Sequence, residues 1–169
     1  MSTSEPETIA PTKTQQAEKI MHDHLPWAMG AGLIPLPLID LATITGIQLK
    51  MIAKISKVYG VPFADNRAKS IIASLLGSVG SSSIAVGTFG SLVKSVPGFG
   101  AWLGAATMPV ASGAFTYAIG KVFIQHFESG GTFLSLDASS AKSYFQEMVK
   151  EGKAVATDLS KKVTKAVDL

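Results

Sequence analysis

The sequence has no cysteine and few charged residues. Without cysteine the chain has no disulfide, no thiolate metal ligand and no cysteine nucleophile. Asp, Glu, Lys and Arg make up 16% of the 169 residues, against roughly 25% in an average soluble domain. Apolar residues reach 47%, which excludes disorder for most of the chain. The net charge is only +3 and no dense basic block occurs, so a nucleic-acid-binding protein is not supported.

The beginning of the chain offers no secretory signal. Residues 1–7 are polar and acidic, and they lack the basic region and the apolar region that such a signal needs. We therefore expect either a cytoplasmic protein or one that an internal segment inserts into a membrane.

Charges are missing from two long runs in the middle of the chain. The runs hold 24 residues between Lys69 and Lys94 and 26 residues between Lys94 and Lys121. A 24-residue helix spans roughly 36 Å, more than a hydrocarbon core of about 30 Å. The sequence therefore predicts an all-α fold with a helical membrane hairpin, about 70–93 and 97–120, and flanking amphipathic helices. Polar residues in the first run and prolines in the second leave a re-entrant hairpin or a packed soluble bundle as alternatives.

Small residues in these runs predict close helix packing. Nine glycines lie from Gly77 to Gly120, and in lipid such residues let helix backbones approach each other. Gly100 and Gly104 form a G-x-x-x-G pattern. We expect helix packing and assembly into a homo-oligomer to depend on Gly77, Gly80, Gly87, Gly100 and Gly104.

Prolines suggest how the N-terminal part is divided. A short polar helix is expected from Lys13 to His24, closed by Pro26. The charge-free but proline-broken stretch 25–39 is typical of an interfacial or re-entrant segment, with Trp27 near the lipid headgroups. The expected regions are a polar, largely disordered tail at 1–24, a membrane-associated helical domain at 25–134 and a C-terminal amphipathic helix at 135–169.

The next helix is expected from Pro37 to Tyr59, with Gly60 as its C-terminal cap. Asp40 suits the first turn and Gln48 lies on the apolar side, so both are candidate buried polar groups. The opposite side carries a basic stripe, which is either a solvated face or a face for anionic lipid: Lys50, Lys54 and Lys57.

A long last helix is predicted from Ala138 to Val167, capped by Asp137 or Ser135. Its apolar residues repeat every three or four positions. This seam is expected to dock on the protein itself or on a partner: Ala141, Phe145, Met148, Gly152, Val155, Leu159, Val163 and Ala166.

The sequence contains no recognisable catalytic or cofactor motif. A P-loop and a nucleophile elbow are absent. His22 and His24 do not share a helical face and have no third ligand nearby, so a surface pair is favoured over a metal site. We expect no enzymatic activity, no cofactor and no metal.

Four stretches resemble a bacterial family, domain-of-unknown-function family 697. They are AGLIPLPLID (31–40), IQLKMI (47–52), YGVPF (59–63) and YAIGKVFIQHFESGGTF (117–133). Members of that family are often joined to small GTPase domains. The resemblance implies a membrane-associated helical protein without assigned catalytic residues, and a separate GTPase as a possible partner.

The function that we expect is a non-enzymatic membrane-associated module that self-associates and docks a cytoplasmic partner. It would lie at the bacterial inner membrane with both termini in the cytoplasm, in contact with membrane lipid and not with nucleic acid. The alternatives are an oligomeric pore lined by the serines at 81–83 and a soluble, cytoplasmic helical homo-oligomer.

Overall fold

A computed structural model describes residues 10–33, 37–80 and 99–167 of the chain. Within these ranges every regular element is an α-helix, so the predicted all-α fold is confirmed. The helices are α1 (Lys13–Ala31), α2 (Pro37–Tyr59), α3 (Asp65–Gly80), α4 (Phe99–Glu128) and α5 (Ala138–Val167).

Helix α1 begins with a capping box and continues through a proline. Gln15 N–H donates to Thr12 Oγ1 at 3.2 Å, and the Gln15 side chain accepts from Thr12 N–H at 2.9 Å. The two bonds satisfy backbone donors that the first turn would otherwise leave free. The predicted end of this helix at His24 is wrong, because α1 continues through Pro26 to Ala31.

Packing explains why the proline does not end α1. The Pro26 ring is exposed, while Leu25 and Ala28 beside it are fully buried. Burying a leucine side chain contributes roughly 1.5–3 kcal/mol, comparable to the roughly 3 kcal/mol that an interior proline costs. The predicted boundary between residues 24 and 25 therefore falls inside a helix. Ala17 and Met21, assigned to the tail, belong to the core, and residues 1–9 lie outside the described residues.

Helices α2 and α4 end in the same way. Gly60 follows α2 with φ +72°, and Gly130 lies just after α4 with φ +84°. At each end the glycine N–H and the N–H of the next residue donate back to carbonyls of the last turn, which forms a Schellman motif. The predicted helix Pro37–Tyr59 with its cap at Gly60 is confirmed.

Asp137 caps α5. Its carboxylate accepts hydrogen bonds from the backbone N–H groups of Ser139 and Ser140 at 3.2 and 3.1 Å, and from both serine hydroxyls. These bonds, those of Ser140 first, lower the pKa of Asp137 to about 2. The predicted helix Ala138–Val167 is confirmed, with Asp137 as its cap.

Helix α4 lies at the centre and packs against α5, α1 and α2. It is parallel to α2, because Gln48 contacts Thr116 and Tyr59 contacts Phe127. It is antiparallel to α1, which Glu18–Lys121 and Ala28–Ser112 join to it, and to α5, which Glu151–Tyr117 and Ala156–Gly113 join to it. The loops 61–64 and 129–137 meet at one end of the bundle, called the connection end below. At the other end α1, α3 and α5 finish and α2 and α4 begin.

Aromatic side chains close the core at the connection end. The ring centroids of Phe63 and Phe133 lie 5.6 Å apart, those of Tyr59 and Phe127 6.1 Å, and those of Phe127 and Phe133 5.2 Å. These rings come from two of the stretches that carry the family resemblance, 59–63 and 117–133. The two stretches therefore form one packed cluster.

Protein neighbours enclose much of the second charge-free run. Residues 109–120 of α4 are all buried or half-buried between α1, α2 and α5. The predicted spanning hairpin, 70–93 and 97–120, is not confirmed, and residues 81–98 lie outside the described residues. Among the helices of the described ranges, none combines the length and hydropathy needed to cross a membrane.

Candidate functional site

Large apolar side chains are exposed at the end of the bundle opposite the loops. Trp27 is 72% exposed, Leu33 63% and Met108 44%. Helix α1 meets α4 here, because a Cβ added to Gly32 would lie 3.1 Å from the Met108 carbonyl oxygen. Exposed apolar residues that gather at one place typically mark a surface for a protein or a membrane. We call the end that carries Trp27, Leu33 and Met108 the apolar end.

The parts of the chain that join helices at the apolar end are nearly free of charge. Residues 34–36 connect α1 to α2 and residues 81–98 connect α3 to α4, and Lys94 is the one charged residue among them. Both connections lie outside the described residues. Of the predicted interfacial segment 25–39, residues 25–31 form the last turns of α1, and Trp27 is exposed there.

Polar and tight contacts hold the end of α1 against α4. The Ser112 hydroxyl donates to the Ala28 carbonyl at 2.7 Å, and both groups are buried. At the next residue, Gly113 lies so close to Met29 of α1 and Ala156 of α5 that an added Cβ would come within 2.8 and 3.0 Å of them. Three helices therefore converge at this level, and Trp27 projects from a well-packed base.

A second buried polar contact joins α2 to α4. Gln48, one of the candidate buried polar residues, is 1% exposed, and its Nε2 donates to Thr116 Oγ1 at 3.2 Å. Its Oε1 has no hydrogen-bond partner in the part of the chain that the structure describes. Asp40 lies in the first turn of α2, and only its backbone is described.

Ionisable groups lie between α1, α4 and α5 nearer the connection end. Lys121 Nζ forms an ion pair with Glu18 Oε1 at 2.6 Å, and the Tyr117 hydroxyl donates to Glu151 Oε1 at 2.5 Å. Burial and the neighbouring Glu151 carboxylate both raise the pKa of Tyr117 above its ordinary value. Burial alone would lower the pKa of Lys121, but Glu18 outweighs it and the pKa is raised. The Lys121–Glu18 ion pair therefore joins α4 to α1, and the hydrogen bond from the neutral Tyr117 hydroxyl to Glu151 joins α4 to α5.

The glycines predicted to pack helices occupy different settings. Gly77 is exposed on α3, and an added Cβ would find no atom within 4 Å. Gly80 ends α3, and Gly100 and Gly104 lie in the first turns of α4, where only the backbone is described. Gly87 lies outside the described residues.

Other glycines make the close helix contacts within the chain. A Cβ on Gly120 would lie 2.6 Å from Met21 Cγ, and a Cβ on Gly152 would lie 2.8 Å from the Ala114 carbonyl oxygen. Sequence reasoning treated Gly152 only as part of the α5 seam. The signal was its place on the apolar side of an amphipathic helix, where a missing side chain permits a close approach.

The basic stripe of α2 is exposed. Exposure is required for both of its expected roles, a solvated face and a face for anionic lipid. Lys50, Lys54 and Lys57 are all exposed, whereas Met51 and Ile55 between them are fully buried. Since Gln48 of α2 lies beside Thr116 of α4, the stripe begins two residues closer to the connection end than that contact.

The α5 seam packs on the protein itself for most of its length. Phe145, Met148 and Gly152 are buried and Leu159 is half-buried, but Val163 is 62% exposed. Sequence reasoning missed a second group of exposed lysines beside the exposed part of the seam. The signal was their interleaving with valines in the last two turns: Lys161, Lys162 and Lys165.

The histidines of the described residues make structural contacts. His24 Nδ1 lies 2.7 Å from the Ile20 carbonyl oxygen, and the His22 ring packs edge-on against Tyr117. His126 Nε2 lies 2.9 Å from the Thr132 carbonyl oxygen and 3.1 Å from Ser135 Oγ. Because a carbonyl oxygen only accepts, Nε2 carries a proton there and is no base for Ser135. No group of three or more metal-ligating side chains occurs in the described ranges.

Comparison with known proteins supports the family resemblance. Residues 5–154 match the profile described as "Domain of unknown function (DUF697)". The chain belongs to the DUF697 family. It is also 38% identical to Magnetosome membrane protein 22 of Magnetospirillum gryphiswaldense, over 96% of this chain and 87% of the relative. No solved structure matches this DUF697 protein.

Proposed function

We propose that this DUF697 protein is a non-enzymatic, membrane-associated helical module that contacts the bilayer through its apolar end. The observation that carries the proposal is the exposure of Trp27, Leu33 and Met108 where nearly charge-free connections join the helices. The relative's name, Magnetosome membrane protein 22, supports membrane association.

Physical chemistry favours this end of the bundle as the contact. Tryptophan prefers the boundary between headgroups and acyl chains, and each fully buried Leu or Met side chain contributes roughly 1.5–3 kcal/mol to transfer out of water. Deeper entry of the bundle would bring the Lys121–Glu18 pair and Glu151 toward lipid, where charges are costly. We therefore propose a contact limited to the apolar end.

Membrane fractionation of cells that express the tagged protein tests this proposal. We expect retention in the membrane pellet through an alkaline carbonate wash and release by detergent. The variant Trp27→Ser, Leu33→Ser, Met108→Ser should move to the carbonate supernatant, because it loses exposed apolar groups without touching the core. Leu134→Ser, at the connection end and 78% exposed, is the control and should stay in the pellet. Wild-type protein in the supernatant would refute the proposal.

Self-association and a separate GTPase partner extend the same proposal. The G-x-x-x-G residues Gly100 and Gly104 lie at the apolar end of α4, where a second copy in the membrane would meet them. Gly100→Leu or Gly104→Leu is expected to reduce the oligomer size in detergent, as measured by light scattering. The proposal of a GTPase partner rests on the family resemblance. It predicts that a purified GTPase binds this chain in a nucleotide-dependent manner.

A further inference from the structure

We infer that the last two turns of α5 form a second membrane contact, in which Lys161, Lys162 and Lys165 bind anionic phospholipid headgroups. The inference rests on the proposed function, since it places these lysines at the bilayer surface that the apolar end meets. It goes beyond that function by assigning a lipid class and the side chains that recognise it.

Helix α5 extends beyond its packing partners. Ala156 is fully buried against Gly113, and Leu159 is half-buried, but every residue from 161 to 167 is exposed. Val163 and Val167 are 62% and 79% exposed. A helix with exposed valines and lysines in its last turns has the composition of an interfacial helix.

The α5 lysines lie at the level of the apolar end. Ala156 of α5 contacts Gly113 of α4, and the two helices are antiparallel. Lys161 lies five residues beyond Ala156, and Met108 lies five residues before Gly113, so each is roughly 8 Å from that contact along its helix. Lys161 is therefore level with Met108. A bilayer that the apolar end enters therefore meets these lysines too, and their long side chains let the ammonium groups reach back to the headgroups.

The end of α5 carries more positive than negative charge. The segment 158–169 holds three lysines and two acids, Asp158 and Asp168, and none of the lysines forms an ion pair with any residue in the described ranges. Unpaired ammonium groups beside exposed valines complement an anionic surface, with the valines entering the headgroup region. A bilayer that the apolar end already meets supplies the counter-charge when its lipids are anionic, so anionic lipid is the favoured occupant.

The same levels separate this group from the basic stripe of α2. Gln48 contacts Thr116, which lies eight residues from Met108, or roughly 12 Å along α4. Lys50 and Lys57 are then roughly 15 and 26 Å from the level of Met108, toward the connection end. Both distances exceed the Debye length of about 8 Å at physiological ionic strength, so the charge of the lipid is largely screened at these lysines. The α5 lysines, and not the α2 stripe, are therefore expected to respond to lipid charge.

Flotation of the full-length protein with lipid vesicles tests the inference. One set of vesicles is pure phosphatidylcholine and the other holds equal parts of phosphatidylcholine and phosphatidylglycerol. Each lysine near an anionic surface contributes roughly fivefold to partitioning. Lys161→Gln, Lys162→Gln, Lys165→Gln should therefore weaken binding to the anionic vesicles on the order of 100-fold, and binding to the neutral vesicles should not change.

Two triple variants with the same loss of charge serve as controls. The first control changes exposed residues of α5 away from the apolar end: Lys142→Gln, Lys150→Gln and Lys153→Gln. The second control changes the α2 stripe: Lys50→Gln, Lys54→Gln and Lys57→Gln. Both should bind anionic vesicles within a few-fold of wild type. Circular dichroism checks that every variant keeps its helix content, which is expected because all the changed side chains are exposed.

The outcomes separate the inference from the proposed function. No flotation of the wild type with either vesicle contradicts the proposed function. Flotation with equal affinity for both vesicles leaves that function intact and overturns the inference, as expected if the α5 end binds a protein. An equal loss in all three triple variants, or a loss in the α2 variant alone, also overturns it.

Discussion

Among single residues, the glycines on α4 and α5 determine how closely these helices pack. A Cβ on Gly152 would lie 2.8 Å from the Ala114 carbonyl oxygen and 3.0 Å from Tyr117 Cβ. A backbone oxygen in the middle of a packed helix cannot move aside at low cost. Gly152→Ala should therefore lower the free energy of unfolding by about 1–3 kcal/mol, measured by denaturant titration.

Gly77 is the matched control for that substitution. It lies within α3, it is exposed, and an added Cβ meets nothing within 4 Å. Gly77→Ala should raise the free energy of unfolding by about 0.5–1 kcal/mol, because alanine restricts the unfolded chain and favours the helix. If both substitutions had the same sign, the close approach at Gly152 would not be a structural constraint.

The cap of α5 predicts a pH dependence. The pKa of Asp137 falls from its ordinary value of 3.8 to about 2 in the folded protein. Its stabilising effect is then complete above about pH 4 and is lost as the pH falls toward 2. Asp137→Ser keeps a capping oxygen without the charge, so wild type and variant should differ in urea midpoint at pH 6 and converge near pH 2. A difference that is constant with pH would contradict this assignment.

Among the helices, α1 shows packing overriding a local signal. Pro26 removes one backbone hydrogen bond from the interior of α1, yet the helix continues to Ala31. Pro26→Ala should restore the bond and raise the free energy of unfolding by about 1–2 kcal/mol, after part of the roughly 3 kcal/mol proline cost is offset by a more flexible unfolded chain. A thermal melt that shows lower stability would mean that the local geometry at Pro26 is needed to seat the end of α1.

The other helix limits could be predicted from the sequence because their signals are local. Gly60 after α2 and Asp137 before α5 mark ends that depend on a few neighbouring backbone groups. The end of α1 depends instead on what Leu25 and Ala28 contact, which involves a helix about 85 residues away in the chain. Such a contact leaves no local pattern, so sequence reasoning ended the helix at the proline.

For the protein as a whole, lipid and protein interior exclude charge for the same reason. Residues 109–120 were assigned to a membrane hairpin because they carry no charge, and the structure buries them among α1, α2 and α5. Composition cannot separate the two environments, since an unpaired charge is costly in both. The candidate site was predicted in part. The stretch that holds Trp27 was identified, whereas the common level of the α5 lysines and the apolar end emerges only when the helices are aligned.

The alignment of the helices gives the bundle two different ends. The connection end carries the aromatic cluster and exposed Phe63 and Leu134, and the α2 stripe and the ion pair of Lys121 with Glu18 lie toward it. The apolar end carries exposed Trp27, Leu33 and Met108, with the α5 lysines at the same level. This asymmetry is what a protein needs to rest on a bilayer with one end and to present the other end to the aqueous phase.

The fluorescence of Trp27 reports directly on whether the apolar end enters a bilayer. The chain has two tryptophans, so Trp102→Phe leaves Trp27 as the single reporter. On addition of anionic vesicles we predict a blue shift of its emission, and stronger quenching by lipids brominated near the headgroup than by lipids brominated near the chain end. Emission that stays unshifted and unquenched while the protein floats with the vesicles would show that another surface makes the contact and would contradict this account.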